Sequence, residues 1–290
     1  MLTSAEPSDT LSSQSARPVR SAPPRLLYRM LRVLFIGIVG GYLLTCVLLY
    51  FEQEHLLFPA GPLPHDFRYP FHTPFEEVFL PVDGATLAAV HFKQPNSKGV
   101  VLFLHGNGET LLNAEGRAER FLRNGYDVFA LDYRGYGKST GTIASEASLH
   151  QDVRAVYEYL RRTYRDDQMV FYGHSLGTGL VIRLAATVTP RELILEAPFL
   201  SLQDTVGQIA PYLPTALLRY PLRSDRWIGA VRCPIYLFHG TDDELIPYNS
   251  SERLQTYITA PYQLITIVGA RHNNIRTFAL YQEQIDRILK

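Results

Sequence analysis

No excess of either charge exists in this sequence: 28 Lys and Arg balance 28 Asp and Glu across 290 residues. A phosphate-binding surface needs a basic excess or stripe, so nucleic acid is excluded as the expected partner. Cysteine is nearly missing. Cys46 lies in an apolar run and Cys233 ahead of a predicted strand, so no disulfide between them is expected. No Cys or His shows zinc-ligand spacing, so no metal site is expected. Charge is missing altogether from Val33 to Phe51, a run of 19 residues.

At 1.5 Å per residue that run matches the hydrocarbon thickness of a bilayer and predicts a transmembrane helix over 33–51. Arg17, Arg20, Arg25, Arg29 and Arg32 precede it, and Glu52 and Glu54 follow. The positive-inside rule then leaves the N-terminus in the cytoplasm and exports the rest. A cleaved signal peptide competes with this reading, but the run is long for an h-region and no A-x-A site follows. A buried core helix competes too, but such helices seldom stay uncharged on every face for five turns. Residues 1–25, rich in Ser, Pro, Ala and Thr, read as a disordered cytoplasmic tail. Residues 55–75, crowded with Pro and aromatics, read as irregular, and 52–74 as a juxtamembrane linker.

Beyond residue 75 strands alternate with helices, which predicts a mostly parallel sheet with helices on both faces, an α/β class. Glu76–Val82 and Thr86–Phe92 read as an opening antiparallel pair around Asp83–Gly84. Strands follow at Val100–His105, Asp127–Leu131, Gln168–Tyr172, Leu193–Leu195, Ile235–Phe238 and Gln263–Val268. Helices are predicted at Ala114–Arg123, Ser145–Thr163, Leu176–Ala186, Tyr248–Tyr257 and Ile275–Leu289. Residues 201–233 interrupt the alternation as a short lid-like insert.

Gly173-His174-Ser175-Leu176-Gly177 fits G-x-S-x-G. It follows a strand and opens a helix, the setting of a sharp turn that exposes a nucleophilic serine, and the glycines remove Cβ atoms that would clash there. A serine hydroxyl needs a base, and in this arrangement the chain order is Ser, acid, His. Of nine histidines only His272 follows both Ser175 and a strand-end acid. Asp243, Asp242 and Glu196 are the candidate acids, in that order, and local physics alone does not choose between the adjacent aspartates. The backbone N–H groups of Leu176 and of Asn107, in the turn His105-Gly106-Asn107-Gly108, are the expected oxyanion donors. Gly137-Lys138-Ser139 imitates the end of a P-loop, but Asp132 stands where its first glycine belongs.

With HGNG, DYRGYGKS, GHSLG, HGTDDELIP and GARHNNI in this order, residues 75–290 resemble the α/β-hydrolase superfamily. More narrowly the chain is similar to its membrane-anchored, small-lid serine hydrolases, the α/β-hydrolase-domain-containing, serine aminopeptidase-like group. The resemblance puts the acid three residues after the strand-ending glycine, on Asp243. Two features depart from the pattern: Gly-Ala-Arg-His stands for the common Gly-x-Gly-His, and Thr178 stands where many relatives have a smaller residue. The resemblance implies hydrolysis of acyl esters, lipid-like ones among them, through a covalent acyl-enzyme and without a cofactor. A thioesterase or aminopeptidase on the same triad, or a binding protein that kept the fold, are the alternatives. Within the lid, Tyr212, Leu213, Leu217, Leu218, Tyr220 and Leu222, interspersed with Arg219, Arg223 and Arg226, can form an apolar face that either covers the top of the core or lines a pocket for acyl carbons reachable from the bilayer surface.

Overall fold

The computed structural model describes residues 25–59 and 61–290. The expected tail, residues 1–25, lies outside the described residues except for Arg25, which begins the first helix. That helix, α1 (Arg25–Leu57), has 33 residues and is the one described helix long and apolar enough to cross a membrane. Almost none of its apolar window is buried, unlike a core helix. It outruns the uncharged segment at both ends, so His55, Leu56 and Leu57, read above as irregular, are helical. It ends there because Pro59 disfavours helical geometry at Phe58. Residues 46–290 form one compact unit, and residues 25–45 belong to a separate one.

The larger unit is built on an eight-stranded sheet in the order β1-β2-β4-β3-β5-β6-β7-β8. The strands are β1 (Phe75–Val82), β2 (Ala85–Phe92), β3 (Val100–Leu104), β4 (Asp127–Leu131), β5 (Met169–His174), β6 (Glu192–Glu196), β7 (Ile235–Gly240) and β8 (Tyr262–Ile267). β1, β2 and β4 pair antiparallel, and every later pairing is parallel. β3, β4, β5 and β6 are buried at every residue; β3 is apolar throughout, and the other three carry their polar residues, Asp127, His174, Glu192 and Glu196, at their ends. β1, at the edge, alternates in burial instead.

The period-2 geometry of strands sends alternate side chains to opposite faces. Val100, Leu102 and Leu104 join one core with α3 (Glu146–Leu160) and α4 (Leu176–Ala185), represented by Val156 and Leu180. Val101 and Phe103 join the other with α2 (Ala114–Arg123), through Phe121, and with the closing helix, through Ile285. The insert holds α5 (Leu202–Ile209) and α6 (Ser224–Trp227), and α7 (Asn249–Gln255) follows β7. The closing helix α8 (Ala279–Ile288) is shorter than expected. Phe278 is extended, so Ile275–Thr277 is a separate 3₁₀ turn.

The expected single apolar face of the lid divides. Tyr220 and Leu222 are buried in the core, Tyr212 is largely exposed, and only Leu213, Leu217 and Leu218 remain together. Cys46 and Cys233 are both free thiols. Lys138 of the P-loop imitation is buried and ion-paired with Glu77 at 2.6 Å, so its ammonium is committed.

Candidate active site

Ser175 sits between β5 and α4 with φ 49° and ψ −116°, a left-handed backbone that a non-glycine residue adopts only where its surroundings enforce it. The enforcement is visible. Its N–H donates to the Glu196 carbonyl at 2.9 Å. A Cβ on Gly173 would lie 2.7 Å from the Gly177 backbone, and one on Gly177 would lie 2.2 Å from the Leu104 carbonyl oxygen. Both glycines of the motif are therefore steric requirements of the turn.

The loop after β8 brings His272 to this serine. Its Nε2 is 2.9 Å from Ser175 Oγ, and its Nδ1 is 2.8 Å from Asp243 Oδ2. Asp243 Oδ1 accepts the N–H groups of Leu245 at 2.9 Å and Ile246 at 2.8 Å. His239 Nε2 lies 2.8 Å from the Ile246 carbonyl and 3.3 Å from Asp243 Oδ2, two acceptors, so it carries the hydrogen. Burial works against the charge of Asp243. The hydrogen bonds from His239 and His272, the charge of His272 and the Ile246 N–H outweigh it and hold the carboxyl well below its usual range. An ionised Asp243 accepts from Nδ1–H, which leaves Nε2 as the acceptor for the serine hydroxyl.

The rival acids lie elsewhere. Asp242 is exposed, and its carboxylate accepts the Thr241 hydroxyl at 2.8 Å. Glu196 is fully buried and bound by Arg117, 3.3 Å away, and by the Tyr172 hydroxyl. The two expected oxyanion segments are packed side by side: a Cβ on Gly106 would lie 3.4 Å from Ser175 Cβ and 2.6 Å from His174 Nδ1. Asn107 follows Gly106, and its side chain accepts the Tyr136 hydroxyl at 2.8 Å. Leu176 is the first residue of α4, where an N–H has no partner within the helix.

Behind Ser175 lies a buried ionic cluster that no sequence motif marks. Arg117 of α2 pairs with Glu109 as well as Glu196, and its Nη2 donates to His174 Nδ1 at 2.9 Å. Glu109 in turn accepts the Gly106 N–H at 3.2 Å. Arg117 and Glu196 are 79 residues apart, and no local pattern joins them.

The His174 ring lies 5.3 Å from that of His272, so a charge on it would oppose a cation there. Burial, reinforced by the Arg117 charge, lowers the His174 pKa to about 4 and keeps it neutral. In the unfolded chain it titrates near 6.5. The unfolded state therefore binds more protons between these values, and the native state loses stability as pH falls through that window. Denaturant unfolding at pH 7, 6 and 5 should show this arm, worth up to about 1.4 kcal/mol per pH unit. His174→Asn should flatten it. An unchanged slope in that variant would assign the arm to other groups.

A profile of the serine aminopeptidase S33 family matches residues 95–225. Alpha/beta hydrolase domain-containing protein aho-3 of Caenorhabditis elegans is 31% identical over 66% of this chain, which spans 57% of that protein. Alpha/beta hydrolase domain-containing protein 17B of Xenopus tropicalis is 30% identical over 67% of each. Lysophosphatidylserine lipase ABHD12 of Macaca fascicularis is 31% identical over 57% of this chain and 46% of its own length. Among solved structures, the Pyrococcus furiosus esterase Pf2001 superposes with a TM-score of 0.63 over 79% of this chain and 96% of its own, at 19% identity. That last likeness speaks for the fold alone.

Proposed function

The chain belongs to the α/β-hydrolase superfamily, in its α/β-hydrolase-domain-containing, serine aminopeptidase-like group, and on that footing we propose that this hydrolase cleaves carboxylic esters with Ser175 as nucleophile. The observation that carries the reading is the unbroken line from Asp243 Oδ2 through both ring nitrogens of His272 to Ser175 Oγ, with links of 2.8 and 2.9 Å. His272 takes the serine proton as Oγ attacks the acyl carbon. Asp243 holds the ring in the competent tautomer and stabilises the imidazolium. The N–H groups of Asn107 and Leu176 receive the oxyanion. The imidazolium then protonates the departing alcohol, and the same base activates water to release the acid from the acyl-enzyme. Every proton in this sequence moves through His272, so the chemistry calls for no cofactor. Lipid-like acyl substrates fit best, because ABHD12 is named as a lipase and α1 could hold the protein at a membrane. Residues 201–233 are assigned as the lid over the carboxyl edge of the sheet.

Labelling with a fluorophosphonate, read together with release of p-nitrophenol from acyl esters, tests this reading. A protein that neither labels nor hydrolyses any ester would remove it.

The five arginines that precede the uncharged run 33–51 support a catalytic unit on the exported side, anchored by that run. A phosphatase reporter fused after Lys290 should be active only outside the cytoplasm, and the mature protein should keep residues 33–51. Cytoplasmic reporter activity, or a mature N-terminus beyond Phe51, would reverse that topology.

A further inference from the structure

The end of α1 and the lid are joined by a buried amide. Gln53 is only 6% exposed. Its Oε1 accepts the Arg219 N–H at 2.7 Å, and its Nε2 donates to the carbonyls of Tyr50 at 2.9 Å and Leu217 at 3.4 Å. One side chain thus grips the lid backbone on both sides of Leu218. Glu54 adds Arg219 Nη1 at 2.8 Å and the Tyr220 hydroxyl at 2.7 Å. Beside this clamp lies a groove of about 140 Å³. Leu49, Tyr50 and Leu57 of α1 form one wall, and Val206, Leu213 and Leu218 of the insert form the other. The polar atoms of Gln53 are used in the clamp, so the lining favours hydrocarbon. An apolar cavity of roughly 150 Å³ is enough to take a benzene-sized group, a stretch of several methylenes.

The groove has two ends that matter. Leu49 and Tyr50 belong to the uncharged run 33–51, so it starts at the end of the candidate membrane span. Leu57 leads within two residues to Pro59, whose ring lies 4.0 Å from where a Cβ on Gly108 would be, beside the expected oxyanion turn. The groove therefore lies between the candidate membrane span and the segment that packs on the expected oxyanion turn. We propose that the groove between the last turns of α1 and the lid is the subsite for the substrate's acyl chain. The anchor helix is then one wall of the specificity pocket as well as a tether. The assignment rests on the ester-hydrolase reading and adds where the acyl carbons go and which helix selects them.

The test uses the full chain in detergent micelles and p-nitrophenyl esters from acetate to decanoate. Burial of each methylene raises kcat/KM about fourfold while the groove has room. In Leu49→Trp or Leu213→Trp, which fill the groove from opposite walls, the octanoate-to-acetate ratio falls at least tenfold. In Leu49→Ala, which enlarges it, the preferred chain length moves upward. A merely structural role for Leu49 would shift both variants the same way. A photoreactive diazirine fatty acid, which needs no turnover, should label residues 46–57 or 206–218 in the wild type and lose that label in Leu49→Trp. A flat chain-length series, or labelling unchanged by either tryptophan, overturns the proposal even if acetate is cleaved at Ser175. A dimer that Leu49→Trp dissociates, with the ratio unchanged, would give the groove to a second copy of the chain instead. Absence of any ester cleavage, with the label still in the groove, would count against the hydrolase reading and for the subsite.

Discussion

Ser175→Ala should eliminate fluorophosphonate labelling and lower ester turnover by about 10⁴- to 10⁶-fold. The size of the loss follows from the site's construction. The left-handed backbone at Ser175 spends conformational strain on aiming one hydroxyl at His272 Nε2, 2.9 Å away, and alanine keeps the strain while removing the group it serves. Ser251 also meets an imidazole, His239 Nδ1 at 2.6 Å, but it is fully buried within α7 and lacks the left-handed turn that presents Ser175. The fold should survive, because the turn is specified by Gly173, Gly177 and the Ser175 N–H bond to Glu196 rather than by the hydroxyl. Circular dichroism and denaturant midpoint should therefore stay close to wild type. Retained labelling at another serine, with normal ester cleavage, would move the nucleophile away from position 175.

Much of this was legible in the sequence because it depends on local stereochemistry. Buried parallel strands must be apolar on both faces, so β3 stands out as an uninterrupted run. A nucleophile turn must have glycines where its backbone touches the neighbouring strand, and Gly177 meets the Leu104 carbonyl. Element ends were harder. β7 continues through His239 and Gly240, whose polar and small character hid their ladder pairing with Thr266 and Ile267. α1 continues through His55 because proline acts only on its immediate predecessor. What stayed hidden was assembled from distant chain segments. The grip of Gln53 on Leu217 and Arg219 crosses more than 160 residues. A lone glutamine after an apolar run carries no mark of it. The same holds for Arg117, whose position on α2 reads as a solvent-facing charge until β6 supplies Glu196.

Asp243→Asn separates the three carboxylates that the sequence could not. An asparagine there can keep its carbonyl oxygen toward the N–H groups of Leu245 and Ile246 and present its amide N–H to His272 Nδ1. That nitrogen must then accept, so the hydrogen moves to Nε2, and the face toward Ser175 Oγ becomes a donor that cannot take a proton. Loss of kcat should reach about 10⁴-fold with little change in fold, since the two backbone bonds to position 243 persist. Asp242→Asn, on an exposed side chain held by Thr241, should cost less than about tenfold. Glu196→Gln should show the opposite division. It leaves the His272 line intact and removes one of the carboxylates balancing buried Arg117, so stability falls by about 3 kcal/mol or less, Glu109 still being paired, and catalysis changes little. Measuring kcat and the denaturant midpoint on all three variants places each carboxylate in one role. A larger catalytic loss at Asp242 than at Asp243 would mean that the loop after β7 rearranges before substrate is cleaved, with Asp242 turning in to meet the imidazole.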